Sequence, residues 1–334
     1  MKQLCVIEGD GIGQEVIPAA VAILEKVIPD LQIQKADAGW DCFLRTGFSV
    51  PQITLEVISQ CGAVLFGAVS SPSHKVQGYR SAILTMRQEL NLFANIRPVK
   101  SLPGLSSRDD VDLIIVRENT EGLYSGRERL DGDTAIAERV ITRQASMRIA
   151  RAAMQVLQYN GRKKLTIVHK ANILPVTDGL FRDTVRQVFE STLLRGQKVE
   201  LEEILVDLAA LKMLSEPQSY DVIVTTNLFG DILSDIAAYW CGGMGLAPSI
   251  NLGERIALAE PVHGSAPDIA GKGIANPIAA ILSAALLCEY HWNTPDTALQ
   301  IRIAVNKFLE ESHLETKSQL TTRQIADRIL NNLD

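Results

Sequence analysis

Residues 3–27 read QLCVIEGDGIGQEVIPAAVAILEKV. An apolar run over 3–8 leads into the glycine-rich stretch EGDGIGQ, and from Gln14 to Val27 apolar side chains recur at helical spacing. A strand, a tight turn and a helix in this order begin a β-α-β unit. The start of the chain therefore predicts an α/β protein with a largely parallel sheet.

The same order recurs further along the chain. Apolar runs typical of strands buried on both faces occur at residues 63–69, 111–116, 164–169, 202–207 and 221–226. A polar or glycine-bearing turn and then a helical pattern follow each run, which supports the α/β interpretation. Residues 125–142 are polar and predict a hairpin or projecting arm, whereas residues 261–277 predict a long functional loop.

The composition limits the classes of protein and partner to be considered. With 334 residues, 46% hydrophobic and 22% charged, the chain is of globular type and long enough for about two domains. Its 33 basic and 39 acidic residues give a net charge of −6, without the basic surplus typical of a nucleic-acid binder. The longest apolar stretch, 278–287, is about half of a membrane span, so no membrane partner is expected. Five scattered cysteines indicate reduced thiols and a cytoplasmic protein.

The glycine-rich turn does not match the Rossmann dinucleotide fingerprint. That fingerprint requires Gly-x-Gly-x-x-Gly, in which the third glycine lets the helix pack closely on the strand. Here the glycines stand at 9, 11 and 13, and Gln14 occupies the last position of the motif. We therefore expect a tight β-to-α turn in which glycines adopt positive φ, in a fold that is not Rossmann.

Paired carboxylates suggest a metal site. Asp231 and Asp235 lie four residues apart in NLFGDILSDIAA (227–238), so on a helix they share one face. A hard divalent cation such as Mg²⁺ or Mn²⁺ would relieve their repulsion. The spacing is equally compatible with two solvated aspartates near a helix N-terminus, where the helix dipole favours acids. Asp207, at the end of a predicted strand, is a third candidate ligand.

Three arginines provide the opposite charge. Arg87 lies in the helical stretch 80–92, Arg97 in the predicted turn NIRP, and Arg117 at the end of a predicted strand. Ligands bind at the carboxyl ends of strands in α/β sheets, and guanidinium groups there could hold carboxylates in bidentate fashion. A single arginine at such a position is more commonly a surface or salt-bridge residue, so the prediction depends on the three together.

Lys170 follows the apolar strand pattern LTIVH. A lysine that is partly desolvated and near other cations has a lowered pKa and can act as a base near neutrality, the alternative being an ordinary solvated lysine. Tyr124, in the segment after Arg117, completes the candidate site. His169 and His263 are interpreted as structural or cofactor-contacting residues rather than as metal ligands.

Together these motifs resemble those of the β-decarboxylating dehydrogenases, the family of isocitrate, isopropylmalate, homoisocitrate and tartrate or D-malate dehydrogenases. The matching strings run from residue 7 to about residue 288 and read EGDGIG, RENTEG, HKANILP, NLFGDILSD and EPVHGSAPDIAGKGIANP. The resemblance implies an isopropylmalate dehydrogenase-like, non-Rossmann fold of two domains with a mostly parallel sheet. It places the large cofactor-binding domain at 1–97 plus 246–334, and the small domain at 98–245 with a dimerisation arm at about 125–142.

The resemblance also implies a role for each candidate residue. Lys170 would deprotonate the 2-hydroxyl group of the substrate, and Tyr124 would protonate the enolate after CO₂ leaves. Asp207, Asp231 and Asp235 would bind Mg²⁺ or Mn²⁺. The chain would form a homodimer, or a pair of dimers, whose sites are shared, because Asp207 and Lys170 would come from the second copy. The substrate-binding set comprises Ser81, Arg87, Arg97, Arg117, Tyr124 and Lys170.

The cofactor implied by the resemblance is NAD. Relatives that use NADP have a Lys-Tyr pair where Asp268 and Ile269 stand, and an acid at 268 would accept hydrogen bonds from the adenosine ribose while repelling a 2′-phosphate. The cofactor-binding set comprises Ser71, Asn172, His263, Gly264, Ser265, Ala266, Asp268 and Asn276.

The helical stretch 80–92 bears on the choice of substrate. Ser81 matches the isocitrate enzymes, whereas Ile83 and Leu84 match the apolar pair of isopropylmalate enzymes and, in part, fungal homoisocitrate dehydrogenases. We favour homoisocitrate or isocitrate, with 3-isopropylmalate second and tartrate or D-malate third. A non-catalytic, citrate-binding regulatory subunit is the alternative of another class, and the presence of Tyr124 and Lys170 argues against it.

Overall fold

A computed structural model of the chain describes residues 1–74, 76–192, 198–314 and 320–333. The strands in these ranges are β1 Lys2–Gly9, β2 Leu31–Lys35, β3 Ala63–Ala68, β4 Ala94–Lys100, β5 Asp112–Glu118, β6 Glu128–Asp131, β7 Thr134–Ala137, β8 Lys164–His169, β9 Glu200–Leu205, β10 Val222–Thr225, β11 Pro248–Leu252 and β12 Ala257–Pro261. The α-helices are α1 Gly13–Val27, α2 Trp40–Thr46, α3 Gln52–Cys61, α4 Ala82–Glu89, α5 Arg143–Tyr159, α6 Thr177–Thr192, α7 Val206–Ser215, α8 Asn227–Ala238, α9 Ile278–Tyr290, α10 Pro295–Leu314 and α11 Thr322–Asn331. The prediction of an α/β protein is confirmed.

The chain divides into two compact units, which we call unit 1 and unit 2. Unit 1 comprises Met1–Leu92, Ser101–Asp109 and Cys241–Asp334. Its strands are ordered β2-β1-β3-β12-β11, and every adjacent pair is parallel except β11 with β12. Helix α9 packs against α1, α10, β11 and β12 and is buried from Ile278 to Glu289, because it is apolar on every face.

The glycine-rich turn between β1 and α1 has the expected left-handed geometry, with φ of +71° at Gly9 and +57° at Gly11. A Cβ atom at Gly13 would lie 2.1 Å from the carbonyl oxygen of Glu8, so the helix starts too close to the strand for any side chain. The carboxylate of Asp10, 2% exposed, accepts hydrogen bonds from the main-chain N–H groups of residues 40, 41 and 70. This turn therefore fixes the positions of the neighbouring loops.

Unit 2 comprises Phe93–Lys100 and Asp110–Trp240. Its strands are ordered β4-β5-β10-β8-β9, with β4 antiparallel to β5 and the other neighbours parallel. Strands β5 and β10 lie at the centre and are buried along most of their length. Helices α5 and α8 contact both of these strands, and α8 follows β10 almost immediately. This connection places the residues of α8 beside the carboxyl ends of β5 and β10.

Several local predictions need correction. Residues 202–207 were expected to form a buried strand, but β9 is the edge strand of unit 2 and has one buried residue, Ile204, the others being half-buried or exposed. Asp207 accordingly does not end a strand and lies in the first turn of α7. Arg97 was expected in a turn, whereas it lies within β4.

The predicted arm contains an antiparallel hairpin of β6 and β7, paired from Glu128 with Ala137 to Asp131 with Thr134. Nearly all of its residues are exposed, including Leu130 at 75%. Among the described residues, no helix combines the length and hydropathy needed to cross a bilayer.

Candidate functional site

The candidate site of unit 2 begins with Arg117, near the carboxyl end of β5. Its side chain is 1% exposed, although it carries a full charge. Arg117 pairs in register with Thr225 of β10, so the start of α8 lies directly beside it. A Cβ atom at Gly230 of α8 would lie 2.6 Å from Cγ of Arg117. Glycine at this position therefore lets the arginine side chain run along the helix.

Asp231 joins several of the predicted residues. Its Oδ1 accepts a hydrogen bond from Nη1 of Arg117 at 2.5 Å, and its Oδ2 accepts one from the hydroxyl of Tyr124 at 2.5 Å. Nη2 of Arg97 lies 3.7 Å from Oδ1. The guanidinium of Arg117 also lies over the Tyr124 ring, 5.2 Å from its centroid. Residues from β4, β5, the following loop and α8 thus converge on one carboxylate.

Asp235 is the second carboxylate on the same face of α8. Its Oδ1 lies 3.8 Å from Nη1 of Arg97, and the same Nη1 donates to Oγ of Ser234 at 2.5 Å. Nε of Arg97 donates to Oδ1 of Asn95 at 2.6 Å. The arginine is thereby held between β4 and α8, with its charge directed toward both aspartates.

The site places buried cations beside accessible anions. The side chains of Arg97 and Arg117 are 8% and 1% exposed, whereas those of Asp231 and Asp235 are 34% and 58% exposed. Burial raises the pKa of Asp235, and the negative charge of Asp231 adds to this, against the opposing effect of Arg97. A further cation is therefore favourable at the exposed side of the pair.

Tyr124 is suited to donate a proton. Burial raises the pKa of its phenol, and the hydrogen bond to Asp231 raises it further, because a negative neighbour disfavours the phenolate. The positive charge of Arg117 opposes this shift without cancelling it. Tyr124 consequently keeps its proton near neutral pH.

Lys170 and Asp207 form a separate pair within unit 2. The ammonium of Lys170, at the end of β8, donates to Oδ1 of Asp207 at 2.5 Å. This hydrogen bond lowers the pKa of the Asp207 carboxyl, whose side chain is 63% exposed. The pair lies in unit 2, as do Asp231 and Asp235.

The oxygen donors of Asp231 and Asp235 fit a hard divalent cation. Among the residues that the structure describes, however, no group of three His, Cys, Asp or Glu side chains is placed to hold a metal within a single chain. Two carboxylates alone leave most positions of an octahedral Mg²⁺ ion to water, substrate or another chain.

Arg87 belongs to unit 1, whereas Asp231 belongs to unit 2. It is buried on α4, where Nη2 donates to Oε1 of Glu260 at 2.9 Å, and the same oxygen accepts from the side chain of Asn251 at 2.8 Å. Among the described residues, its Nε has no hydrogen-bond partner. Ser81 precedes α4 and is half-buried, as are Ile83 and Leu84 within it.

Most of the predicted cofactor residues lie in one loop of unit 1. The carbonyl oxygen of Ser265 accepts a hydrogen bond from the N–H of Ile12 at 2.9 Å. The hydroxyl of Ser265 accepts one from the hydroxyl of Ser70, also at 2.9 Å. The loop therefore packs against the glycine-rich turn. Nε2 of His263 is buried and has no hydrogen-bond partner in the part of the chain that the structure describes, while its Nδ1 lies 3.0 Å from the carbonyl oxygen of Gly264.

Other predicted cofactor residues are more exposed or hold the loop in place. Ala266 adopts a φ of +39°, a strained conformation for a residue with a side chain. Asp268 and Ser71 are exposed. Asn276 is half-buried, and its Oδ1 accepts from the N–H of Ile278 at the start of α9. Asn172 is exposed and belongs to unit 2.

Sequence reasoning missed the polar residues that hold the charged groups. Oδ1 of Asn227 accepts two hydrogen bonds from Arg117, at 2.7 and 3.1 Å, and Ser234 and Asn95 hold Arg97. A signal for Asn227 was present, because residues 227, 231 and 235 recur at a spacing of four in an apolar helix. Asn95 and Glu260 carry no such signal.

Comparison with known proteins identifies relatives over the whole chain. The family model described as "Isocitrate/isopropylmalate dehydrogenase" matches residues 3–329. An "Isocitrate/homoisocitrate dehydrogenase" from Thermus thermophilus is 54% identical over 308 residues, covering 92% of this chain and 91% of the relative. A "3-isopropylmalate dehydrogenase" from Methanothermobacter thermautotrophicus is 47% identical over 335 residues, covering 99% and 98%. The crystal structure of isocitrate dehydrogenase from Methylococcus capsulatus superimposes with a TM-score of 0.93 at 40% identity, covering 100% and 99%.

Proposed function

Since the chain belongs to the isocitrate/isopropylmalate dehydrogenase family, we propose that it oxidatively decarboxylates homoisocitrate or isocitrate with NAD and Mg²⁺. Enzymes of this family are decarboxylating dehydrogenases that use NAD(P) and a divalent metal such as Mg²⁺ or Mn²⁺. The observation that carries the proposal is the convergence of Arg97, Arg117 and Tyr124 on Asp231. It combines cations for carboxylates, oxygen ligands for a metal and a proton donor in one place.

The arginines bind the carboxylates of the substrate. Arg97 and Arg117 are held rigidly, by Asn95 and Ser234 in one case and by Asn227 in the other. Fixed guanidinium groups bind a carboxylate without having to be ordered first, and they keep the reacting bonds aligned. Arg87 of α4 supplies the third cation in this proposal.

Asp231 and Asp235, together with Asp207 from a second copy of the chain, would hold the metal. A bound nicotinamide would accept the hydride from C2 of the substrate, and a bound divalent ion would stabilise negative charge on the C2 oxygen as a Lewis acid. The carboxylate of Asp231 now accepts from Arg117 and Tyr124, and a bound cation would share this carboxylate with them.

Lys170 and Tyr124 move the protons. In its neutral amine form, Lys170 accepts the proton of the 2-hydroxyl group as hydride leaves C2, and it becomes an ammonium. The raised pKa of Tyr124 keeps its phenol protonated, so it can deliver a proton to the carbon from which CO₂ has departed. A carboxylate could not take this role at neutral pH without a far larger shift of its pKa.

A second copy of the chain completes the site. Helices α7 and α8 carry large apolar side chains that are about half exposed, and an exposed face of this kind favours association. The hairpin of β6 and β7 also needs a partner surface, since an isolated two-stranded hairpin is only marginally stable. We assign this hairpin to the predicted dimerisation arm. The exposed apolar side chains of the two helices are Leu208, Leu211, Leu214 and Ile232.

Complementation tests the shared site. K170M and D231N should each be nearly inactive alone, whereas an equimolar mixture, unfolded and refolded together, should recover about a quarter of wild-type activity, because half of the dimers then contain one intact site of two. Activity no higher than that of the separate variants would show that Lys170 and Asp231 serve the same chain's site.

NAD is the proposed cofactor because Asp268 is exposed in the loop that carries His263 and Ser265. An accessible carboxylate accepts hydrogen bonds from a ribose diol and repels a 2′-phosphate. The five cysteines are all buried and form no disulfide, which supports the proposed cytoplasmic location.

Steady-state kcat/KM values for homoisocitrate, isocitrate, 3-isopropylmalate and D-malate, with NAD and Mg²⁺, test the substrate assignment. We expect one of the two tricarboxylic substrates to give the highest value. The name and identity of the Thermus thermophilus relative support this order. Equal values for all four, or turnover of D-malate alone, would refute the assignment.

A second candidate is 3-isopropylmalate. Ile83 and Leu84 place two branched apolar side chains on α4, which suits an isopropyl group better than a third carboxylate. The Methanothermobacter thermautotrophicus relative has this substrate in its name. A kcat/KM for 3-isopropylmalate above those for both tricarboxylic acids would replace the first assignment with this one.

A further inference from the structure

Asp178 is a fully buried carboxylate that contacts the main chain at Lys170. It is the second residue of α6, and its side chain is 0% exposed. Oδ2 accepts a hydrogen bond from the main-chain N–H of Lys170 at 2.6 Å. The carboxylate thus fixes the main chain at the residue whose amine is the proposed base.

Arg139 compensates the charge of Asp178. Its Nη1 lies 2.6 Å from Oδ1 of Asp178, and the arginine side chain is 13% exposed. A buried carboxylate needs such a partner, because an uncompensated charge in the protein interior is strongly unfavourable. Arg139 lies in the segment that joins the hairpin of β6 and β7 to α5.

The same arginine reaches the start of α8. Its Nη2 donates to Oγ1 of Thr226 at 2.9 Å, and its guanidinium lies 4.7 Å from the centroid of the Phe229 ring. Thr226 precedes α8, and Phe229 is in its first turn. One buried ion pair therefore connects the main chain at Lys170 with the helix that carries the proposed metal carboxylates.

We infer that Asp178 and Arg139 are positioning residues for Lys170. This role depends on the proposed function, in which Lys170 is the base. Asp178 and Arg139 would fix the position from which the amine of Lys170 reaches the substrate. They act through the main chain of Lys170 and touch neither substrate nor cofactor. Displacement of a catalytic group by about 1 Å can cost on the order of 100-fold in rate, so the pair should affect turnover much more than binding.

Kinetics of three variants test this role. D178N removes the charge of the pair, R139M removes its partner, and the double variant removes both. We expect kcat to fall roughly 10- to 100-fold in each single variant, with KM for the hydroxy acid and the dissociation constant of NAD close to wild type. The double variant should recover part of the loss, because it leaves no unpaired buried charge. D183N, on the exposed side of α6 where Asp183 pairs with Arg182, is the matched control and should behave as wild type.

A second measurement does not depend on turnover. In wild type the Lys170 amide donates to Asp178, so its hydrogen exchange should be slow, and D178A should exchange it at least roughly tenfold faster. Wild-type kcat in folded D178N and R139M, or unchanged exchange in D178A, would overturn the inference. If the single variants do not fold, the double variant decides. A wild-type kcat in the double variant overturns the positioning role of Asp178 and Arg139, and a reduced kcat at unchanged KM supports that role.

K170M separates this inference from the proposed function. A K170M enzyme with wild-type turnover would remove Lys170 from the chemistry and thereby the proposed function. An inactive K170M enzyme together with fully active D178N and R139M would refute the positioning role alone.

Discussion

Gly230→Ala should weaken this protein, although the same change stabilises most helices. In a helix interior, alanine is favoured over glycine by about 0.5–1 kcal/mol. At this position the added Cβ would lie 2.6 Å from Cγ and 2.8 Å from Cβ of Arg117, well inside van der Waals contact. Arg117 cannot retreat, since β5 pairs with β4 on one side and β10 on the other.

The size of the effect follows from these contacts. Overpacking of this kind costs about 1–3 kcal/mol, so after the gain in helix propensity a net loss of about 0.5–2 kcal/mol of unfolding free energy remains. The shift also separates Arg117 from Asp231, which are 2.5 Å apart. The same shift would move the guanidinium away from the substrate carboxylate that it binds in the proposed function. A hydrogen bond between charged groups contributes about 1.5–3 kcal/mol, so its loss corresponds to a roughly 10- to 100-fold lower kcat/KM.

Urea unfolding followed by circular dichroism, and steady-state kinetics with the preferred substrate, measure both quantities. Gly179→Ala in α6 is the matched control, because a Cβ there would meet nothing within 4 Å. It should be as stable as wild type or more stable by up to about 1 kcal/mol, with full activity. A G230A enzyme as stable and as active as G179A would refute the reasoning about Arg117 and α8.

Three further predictions concern single groups. Tyr124→Phe should lower kcat about 100- to 10,000-fold with little change in KM, and a kcat within twofold of wild type in steady-state assays would exclude Tyr124 as proton donor. The double substitution Asp268→Lys and Ile269→Tyr should lower the preference for NAD, measured as kcat/KM with NAD divided by kcat/KM with NADP. An unaltered ratio would contradict the cofactor proposal. Burial lowers the pKa of His169, whose neutral Nδ1 accepts from the N–H of Ala171 at 3.0 Å. Below the ordinary histidine pKa the unfolded chain therefore binds a proton that the folded chain does not, and stability falls as pH falls. H169N should show a smaller loss between about pH 7 and 5 in urea titrations, and parallel curves would contradict this.

The sequence predicts well those features that depend on neighbouring residues. The turn at Gly9 and Gly11 follows from the glycine spacing, and the shared face of Asp231 and Asp235 follows from helical periodicity. The apolar run of β5 predicted a central buried strand for the same reason. In each case the periodicity or the special residue is local.

Features that depend on strand order could not be predicted in this way. Nothing in the sequence marks β9 as an edge strand, because that depends on which strands pair in the folded sheet. Arg97 was assigned to a turn because Pro98 follows it, whereas the antiparallel pairing of β4 with β5 places both residues within a strand. The hydrogen bonds of Asn95 to Arg97 and of Asn251 to Glu260 likewise require the folded sheet.

The binding of Mn²⁺, followed by electron paramagnetic resonance in the presence of the preferred hydroxy acid, tests most directly whether α8 holds the metal. Wild type should bind one ion per site, and D231N and D235N should each bind it at least about tenfold more weakly. D183N, which changes an exposed aspartate paired with Arg182, should bind Mn²⁺ as wild type does. Wild-type affinity in both D231N and D235N would contradict a metal site on this helix.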